Sequence, residues 1–203
     1  MQNDTEKPDV PMQSKKAVVV IGRMNPPTLG HYYLIDKAKR LFKDEKLDGI
    51  VVAIVEGTNT SKDKETNPLT ADRRIYFMKS SGHCNGVRFV VGKNALDAFF
   101  EVRKAGFEPM WIITGDDRGD DYEKLLDKYF KDNDGKALKH KTLVVDREGD
   151  DENSGVSATL ARSAVEHGMF PEFQKLVDLD EPLAKKMFDE IKKAMGTKEQ
   201  EDE

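Results

Sequence analysis

Five short apolar runs, each followed by a stretch with helical spacing, constrain this chain more than any other feature. The runs lie at 17–21, 50–55, 87–91, 110–114 and 142–145. Each is nearly continuous in apolar residues rather than alternating, so both of its faces must be covered. That is the condition of a strand inside a parallel sheet. Helical stretches are expected between them at 31–43, 70–80, 94–105 and 119–131. Leu34, Ala38 and Leu41 mark the apolar stripe of the first. Ala95, Phe99 and Val102 mark that of the third, with Leu96 and Phe100 widening it. This alternation predicts an α/β fold, a single doubly wound parallel five-stranded sheet. Additional C-terminal helices are expected at 157–167, 171–177 and 182–195. The last carries Leu183, Met187, Ile191 and Met195 at four-residue spacing and reads as a helix packed on the body.

With 203 residues the chain is long enough for one globular domain and some extra segments. Residues 1–16 read as a flexible leader, 17–177 as the domain, and 178–203 as a C-terminal helix with an acidic tail. The charged share of 35% implies a small core under a heavily solvated surface. Opposite signs nearly cancel, leaving a net charge of -5, which speaks against a surface built for duplex nucleic acid. The single cysteine, Cys84, excludes an internal disulfide and cysteine-only metal sites. No apolar run approaches the roughly 18 residues of a membrane span, and the leader lacks the apolar block of a secretory signal. A soluble cytoplasmic protein without a membrane partner is expected; homo-oligomerisation is left open.

Ligands of open α/β sheets sit beyond the carboxyl ends of the strands. That rule selects the loops at 22–31, 56–69, 92–94, 115–118 and 146–156. The first reads Gly22-Arg23-Met24-Asn25-Pro26-Pro27-Thr28-Leu29-Gly30-His31. Gly22 lets a ligand approach the backbone, and the two prolines stiffen the turn. Thr28 is the candidate N-cap, placing Gly30 and His31 in the first helical turn. Free N–H groups and the helix dipole make such a start a phosphate site. An imidazole there can stabilise charge developing on phosphorus, and Arg23 can add a fork of donors. Far downstream, Ser157 caps a helix, Thr159 offers a hydroxyl, and Arg162 lies one turn further, within reach of phosphate oxygens. Leaving the fourth strand, Gly115 permits close approach, Asp116 can accept bonds from a ribose or an amine, and Arg118 can face phosphate.

The first loop resembles the H-x-G-H or T-x-G-H signature of the nucleotidyltransferase superfamily, with Thr28 standing where many members have the first histidine. Gly155-Val156-Ser157-Ala158-Thr159-Leu160-Ala161-Arg162 resembles its I-S-x-T-x-x-R signature. The segment Gly115-Asp116-Asp117-Arg118 resembles its G-x-D segment near the nucleotide. Over about 17–177 the chain is most similar to phage-encoded cytidylyltransferase-like members, through Asn67-Pro68-Leu69, the 115–126 stretch and the 164–170 stretch. The resemblance implies a Rossmann-like domain that joins a nucleoside monophosphate, from ATP or CTP, to a phosphate- or hydroxyl-bearing small-molecule acceptor. Pyrophosphate leaves, and Mg²⁺ arrives bound to the triphosphate. His31, Thr28 and Arg162 would be the catalytic residues. Gly22, Arg23, Asn25, Gly30, Gly115, Asp116, Arg118, Ser157 and Thr159 would bind the nucleotide. If the chain is phage-encoded, its compartment is the cytoplasm of the infected bacterium.

Two other readings stay open. One is an NMN adenylyltransferase, suggested by the Gly-Arg opening and the Ser-x-Thr-x-x-Arg ending. The other is a non-catalytic nucleotide-binding or structural phage component. The remaining polar features read as structural first. Lys62 lies in a solvated loop that could close over the site. Of Arg73 and Arg74, one is expected toward the acceptor and the other in water. His83 and Cys84 lack the companions of a zinc site. Trp111 reads as core, His140 and His167 show no partner, and the acidic run at 146–151 reads as a solvated loop with Mg²⁺ recruitment as its alternative.

Overall fold

The run at 17–21 becomes the central strand of the sheet, as its unbroken apolar sequence requires. The computed structural model describes residues 15–57, 63–115, 119–132, 134–145 and 155–196. In chain order the elements are β1 (Lys15–Gly22), α1 (Leu29–Asp44), β2 (Gly49–Val55), α2 (Ala71–Ser80), β3 (Arg88–Gly92) and α3 (Ala95–Lys104). There follow β4 (Phe107–Thr114), α4 (Gly119–Tyr129), β5 (Lys141–Val144), α5 (Ala158–Glu166), α6 (Phe170–Val177) and α7 (Glu181–Met195). The five strands form one parallel sheet in the order β3-β2-β1-β4-β5. The expected Rossmann-like α/β fold with additional C-terminal helices is therefore present.

Alternate residues of each inner strand feed two cores. Val18, Val20, Val52, Ile54 and Ile113 face Ile35 and Ala38 of α1 and Met78 of α2. Ala17, Val19, Ile21, Val51, Ala53 and Ile112 face Phe99 and Val102 of α3 and Leu126 of α4. The helices change faces where the winding reverses, as crossovers of one hand require. The reversal lies between β1 and β4, so their carboxyl ends diverge into a crevice. Gly92 secures one rim of it. A Cβ there would lie 2.2 Å from the Ala98 amide nitrogen, so α3 can start this close to β3 only on a glycine.

β4 begins at Phe107, three residues ahead of the expected 110. Pro109 is a breaker in sequence, yet it is paired with Ala17, and the register shifts between Ala17 and Val18. A proline has no N–H for the ladder, and an irregularity is where a strand tolerates one.

A third core joins the C-terminal helices to the body. Ala161 and Val165 of α5, Phe173 and Val177 of α6, and Met187, Phe188 and Ile191 of α7 pack with Leu69 and Phe77. Arg73 of α2 donates from Nε to Glu190 of α7 at 2.8 Å and stacks over Tyr76. This cluster decides where the start of α5 stands relative to the sheet. Phe173 is fully buried and meets Phe188 edge-to-face at 5.3 Å. Phe173→Ala should cost about 3–5 kcal/mol by leaving a cavity in this core. Urea unfolding followed by circular dichroism measures it; a loss under about 1 kcal/mol would show that the cluster does not hold the helices.

Candidate active site

A cavity of about 570 Å³ opens at the carboxyl edge of the sheet, over the β1–β4 reversal. Its walls come from the first loop (Gly22, Arg23, Met24, Asn25, His31), the end of β4 (Thr114, Gly115) and the start of α5 (Ser157, Ala158, Thr159, Arg162). Ile21, Leu34, Val55, Gly57, Asp63, Thr66, Asn67, Lys93, Asn94, Ala95 and Tyr122 supply the rest. Residues 23 and 162 thus share one cavity although they stand at opposite ends of the domain sequence.

The first loop is shaped from within. Met24 adopts a left-handed φ of 51°, held by a buried side chain, and the Asn25–Pro26 peptide is cis. Thr28 then caps α1. Its backbone N–H donates to Nδ1 of His31 at 3.0 Å, so the histidine takes the place that glutamate occupies in an ordinary capping box. The Thr28 hydroxyl, 2.9 Å from the same ring nitrogen, donates instead to the carbonyl of Val156 at 2.9 Å. An Nδ1–H would collide with the Thr28 amide hydrogen, so Nδ1 keeps its lone pair. The neutral ring therefore carries its hydrogen on Nε2. His31 lines the cavity with its Nδ1 engaged by the helix it begins.

The Thr28–Val156 bond ties the two sequence motifs together across 128 residues. A second tie runs beside it. Arg162 donates from Nη1 to the Asn25 carbonyl at 2.7 Å and from Nη2 to the Thr159 hydroxyl at 3.1 Å. Ser157 caps α5 by accepting from the Leu160 amide at 3.3 Å. The start of α5 is thus bolted to the start of α1, so both helices begin at this edge.

Charge follows the same plan. Neither α1 nor α5 has an acidic residue in its first turn. Each of the other five helices does: Asp72 in α2, Asp97 in α3, Asp120 and Asp121 in α4, Glu172 in α6 and Glu181 in α7. Acids complement the positive end of a helix dipole; α1 and α5, whose starts are tied together at the cavity, forgo them, whereas α3, whose Asn94 and Ala95 also line it, keeps Asp97. Arg23, Lys93 and Arg162 line the cavity against one carboxylate among the described residues, Asp63. The Thr66 hydroxyl and amide hold the Asp63 carboxyl below its usual range, with smaller help from Arg23 and Arg162. Burial lowers the Arg162 pKa, the Arg23 charge lowers it further, and Asp63 opposes both.

The structure gathers most of the sequence-selected residues, with some changes of role. Gly22, Arg23, Asn25, His31, Gly115, Ser157, Thr159 and Arg162 line the cavity. Thr28 is fully buried behind it, and Gly30 lies in the first turn of α1, outside the lining. Asn25 braces the fold: its amide donates to the Leu69 carbonyl at 2.9 Å and accepts from the Leu69 amide at 3.1 Å. Asp116, Arg118, Lys62 and the 146–151 run lie outside the described residues. Neither arginine of α2 behaves as expected. Arg73 pairs with Glu190, and Arg74 is fully buried, because it falls on the core stripe with Ala71, Phe77 and Met78. The histidines have partners after all: His83 stacks on Tyr32 and meets Asp178 at 2.6 Å, His140 meets the Leu138 carbonyl, and His167 that of Ser163. Lys93 and Tyr122 line the cavity and were not singled out; a lysine in a loop beyond β3 was their one available signal.

Comparison with known proteins agrees with this geometry. The fold is similar to a crystal structure described as a macrolide-efflux protein from Streptococcus pneumoniae, with a TM-score of 0.52 and 19% identity. The match covers 81% of this chain and 57% of that one, so the chain spans little more than half of that neighbour, and the likeness is one of fold. The model of the cytidylyltransferase-like family matches residues 19–164, which run from β1 through both motifs to α5. The chain belongs to the cytidylyltransferase-like family.

Proposed function

We propose that the protein transfers a nucleoside monophosphate from ATP or CTP to a phosphate-bearing small molecule, with release of pyrophosphate. The observation that carries this reading is the pair of acid-free helix starts, α1 and α5, joined over one cavity with Arg23 and Arg162. Two convergent N-termini and two guanidinium groups suit a chain of phosphates better than a single one. Ser157, Thr159 and Arg162 would hold the β- and γ-phosphates. His31 Nε2–H and the α1 amides would neutralise charge on the α-phosphorus as an acceptor oxygen bonds to it and the bond to the β-phosphate oxygen breaks.

A phosphate acceptor is preferred over a hydroxyl for a chemical reason. A neutral hydroxyl would have to lose a proton. Among the described lining residues, His31 has its lone pair engaged and Asp63 accepts two bonds from Thr66. A phosphate monoester arrives already anionic, and positioning suffices. Mg²⁺ enters as part of the substrate, because the triphosphate supplies several of its ligands. Among the described residues no group of three His, Cys, Asp or Glu gathers at one point.

Pyrophosphate release from each triphosphate in turn, with NMN and phosphopantetheine as trial acceptors, tests the reading. Turnover with one pair is expected. Tight triphosphate binding without release for any pair would favour a binding module instead. His31→Ala should lower turnover by about 10²–10³, the scale of one preorganised donor; near-normal turnover would remove His31 from the chemistry. Arg162→Ala should weaken triphosphate binding by about tenfold or more, as losing a charge-assisted pair does. Calorimetry checks this, and unchanged affinity would end the assignment.

A further inference from the structure

Arg74 has a chemical problem that the fold alone leaves unsolved. Its side chain is fully buried on α2, beneath the first loop. Nε donates to the Thr70 carbonyl at 3.3 Å, and Nη1 donates to the carbonyls of Arg23 and Val55. Nη2 is buried and has no hydrogen-bond partner among the described residues. The guanidinium is attracted by Glu56, which makes no ion pair with it, and repelled by Arg23. Burial pushes its pKa down to about 10, yet the group remains charged at neutral pH.

A buried cation held only by carbonyls is costly, and a neutral amide could brace the same loop with less desolvation. Arg23 and Val55, whose carbonyls it holds, line the cavity. The positive charge therefore stands just under the floor on which a phosphate chain would rest. In a poorly solvated interior its field is only weakly screened. We propose that Arg74 is a positioning residue whose missing counter-charge is the polyphosphate of the substrate, so that it favours phosphate-rich ligands through its charge as well as bracing the loop. This rests on the reading of the cavity as a triphosphate site.

The test separates charge from fork. Arg74→Gln keeps donors without charge; Arg74→Lys keeps charge without the fork. Binding of inorganic tripolyphosphate to the full chain is measured by calorimetry at two salt concentrations, with circular dichroism to check folding. The wild-type protein should bind. Arg74→Gln should bind about tenfold more weakly and with a shallower salt dependence, while Arg74→Lys stays within about threefold of wild type. Arg74→Gln binding as tightly as wild type, or Arg74→Lys losing as much as Arg74→Gln, would make Arg74 a brace only. Should Arg74→Gln fail to fold, Arg74→Lys decides alone: retained affinity supports the charge role, and a tenfold loss overturns it. If wild type itself does not bind tripolyphosphate, the triphosphate site falls, and this inference with it.

Discussion

One hydrogen bond, from the Thr28 hydroxyl to the Val156 carbonyl, makes a single site out of two distant motifs. In net terms such a bond contributes only about 1 kcal/mol. Its importance is positional. Thr28 caps α1, Val156 immediately precedes the cap of α5, and the bond sets how closely the two starts approach. The Arg162–Asn25 contact and the third core then fix the remaining freedom of α5. Without that convergence the starts of α1 and α5 would stand apart at the edge of the sheet.

The electrostatic design is one of withheld partners. The molecule places acids at five helix starts and omits them at the two that are joined to each other over the cavity. Arg23 and Arg162 repel each other across the same space, and Arg74 lies buried close by. On the proposed reading a polyanion would relieve each of these arrangements, binding by completing a charge distribution rather than by competing with internal ion pairs.

Much of this was legible in the sequence because it depends on local pattern. Continuous apolar runs dictated strands covered on both faces, and the capping residues Thr28 and Ser157 marked the two helix starts. What escaped depends on contacts between distant segments. Nothing local told that the Asn25 amide would close on Leu69, 44 residues away, instead of facing a ligand. Nor did it tell that the His31 lone pair would be consumed by its own cap. Pro109 hid the first residues of β4, because a breaker and a bulge look alike until the neighbouring strand is known. Arg74 was legible too: its position on the stripe with Ala71, Phe77 and Met78 places it inside in spite of its charge.

Gly22 shows how fold and function can part at a single position. Unlike Gly92, it has no backbone neighbour to make way for among the described residues: a Cβ there would meet only the Met24 side chain among them, at an ordinary 3.7 Å. Its backbone is extended strand, which any residue adopts. A screen that scored substitutions by folding alone would therefore rank Gly22 among the tolerant positions of the chain. If the cavity takes the proposed nucleotide, the volume Gly22 leaves belongs to that visitor, and only an assay containing it can register the loss.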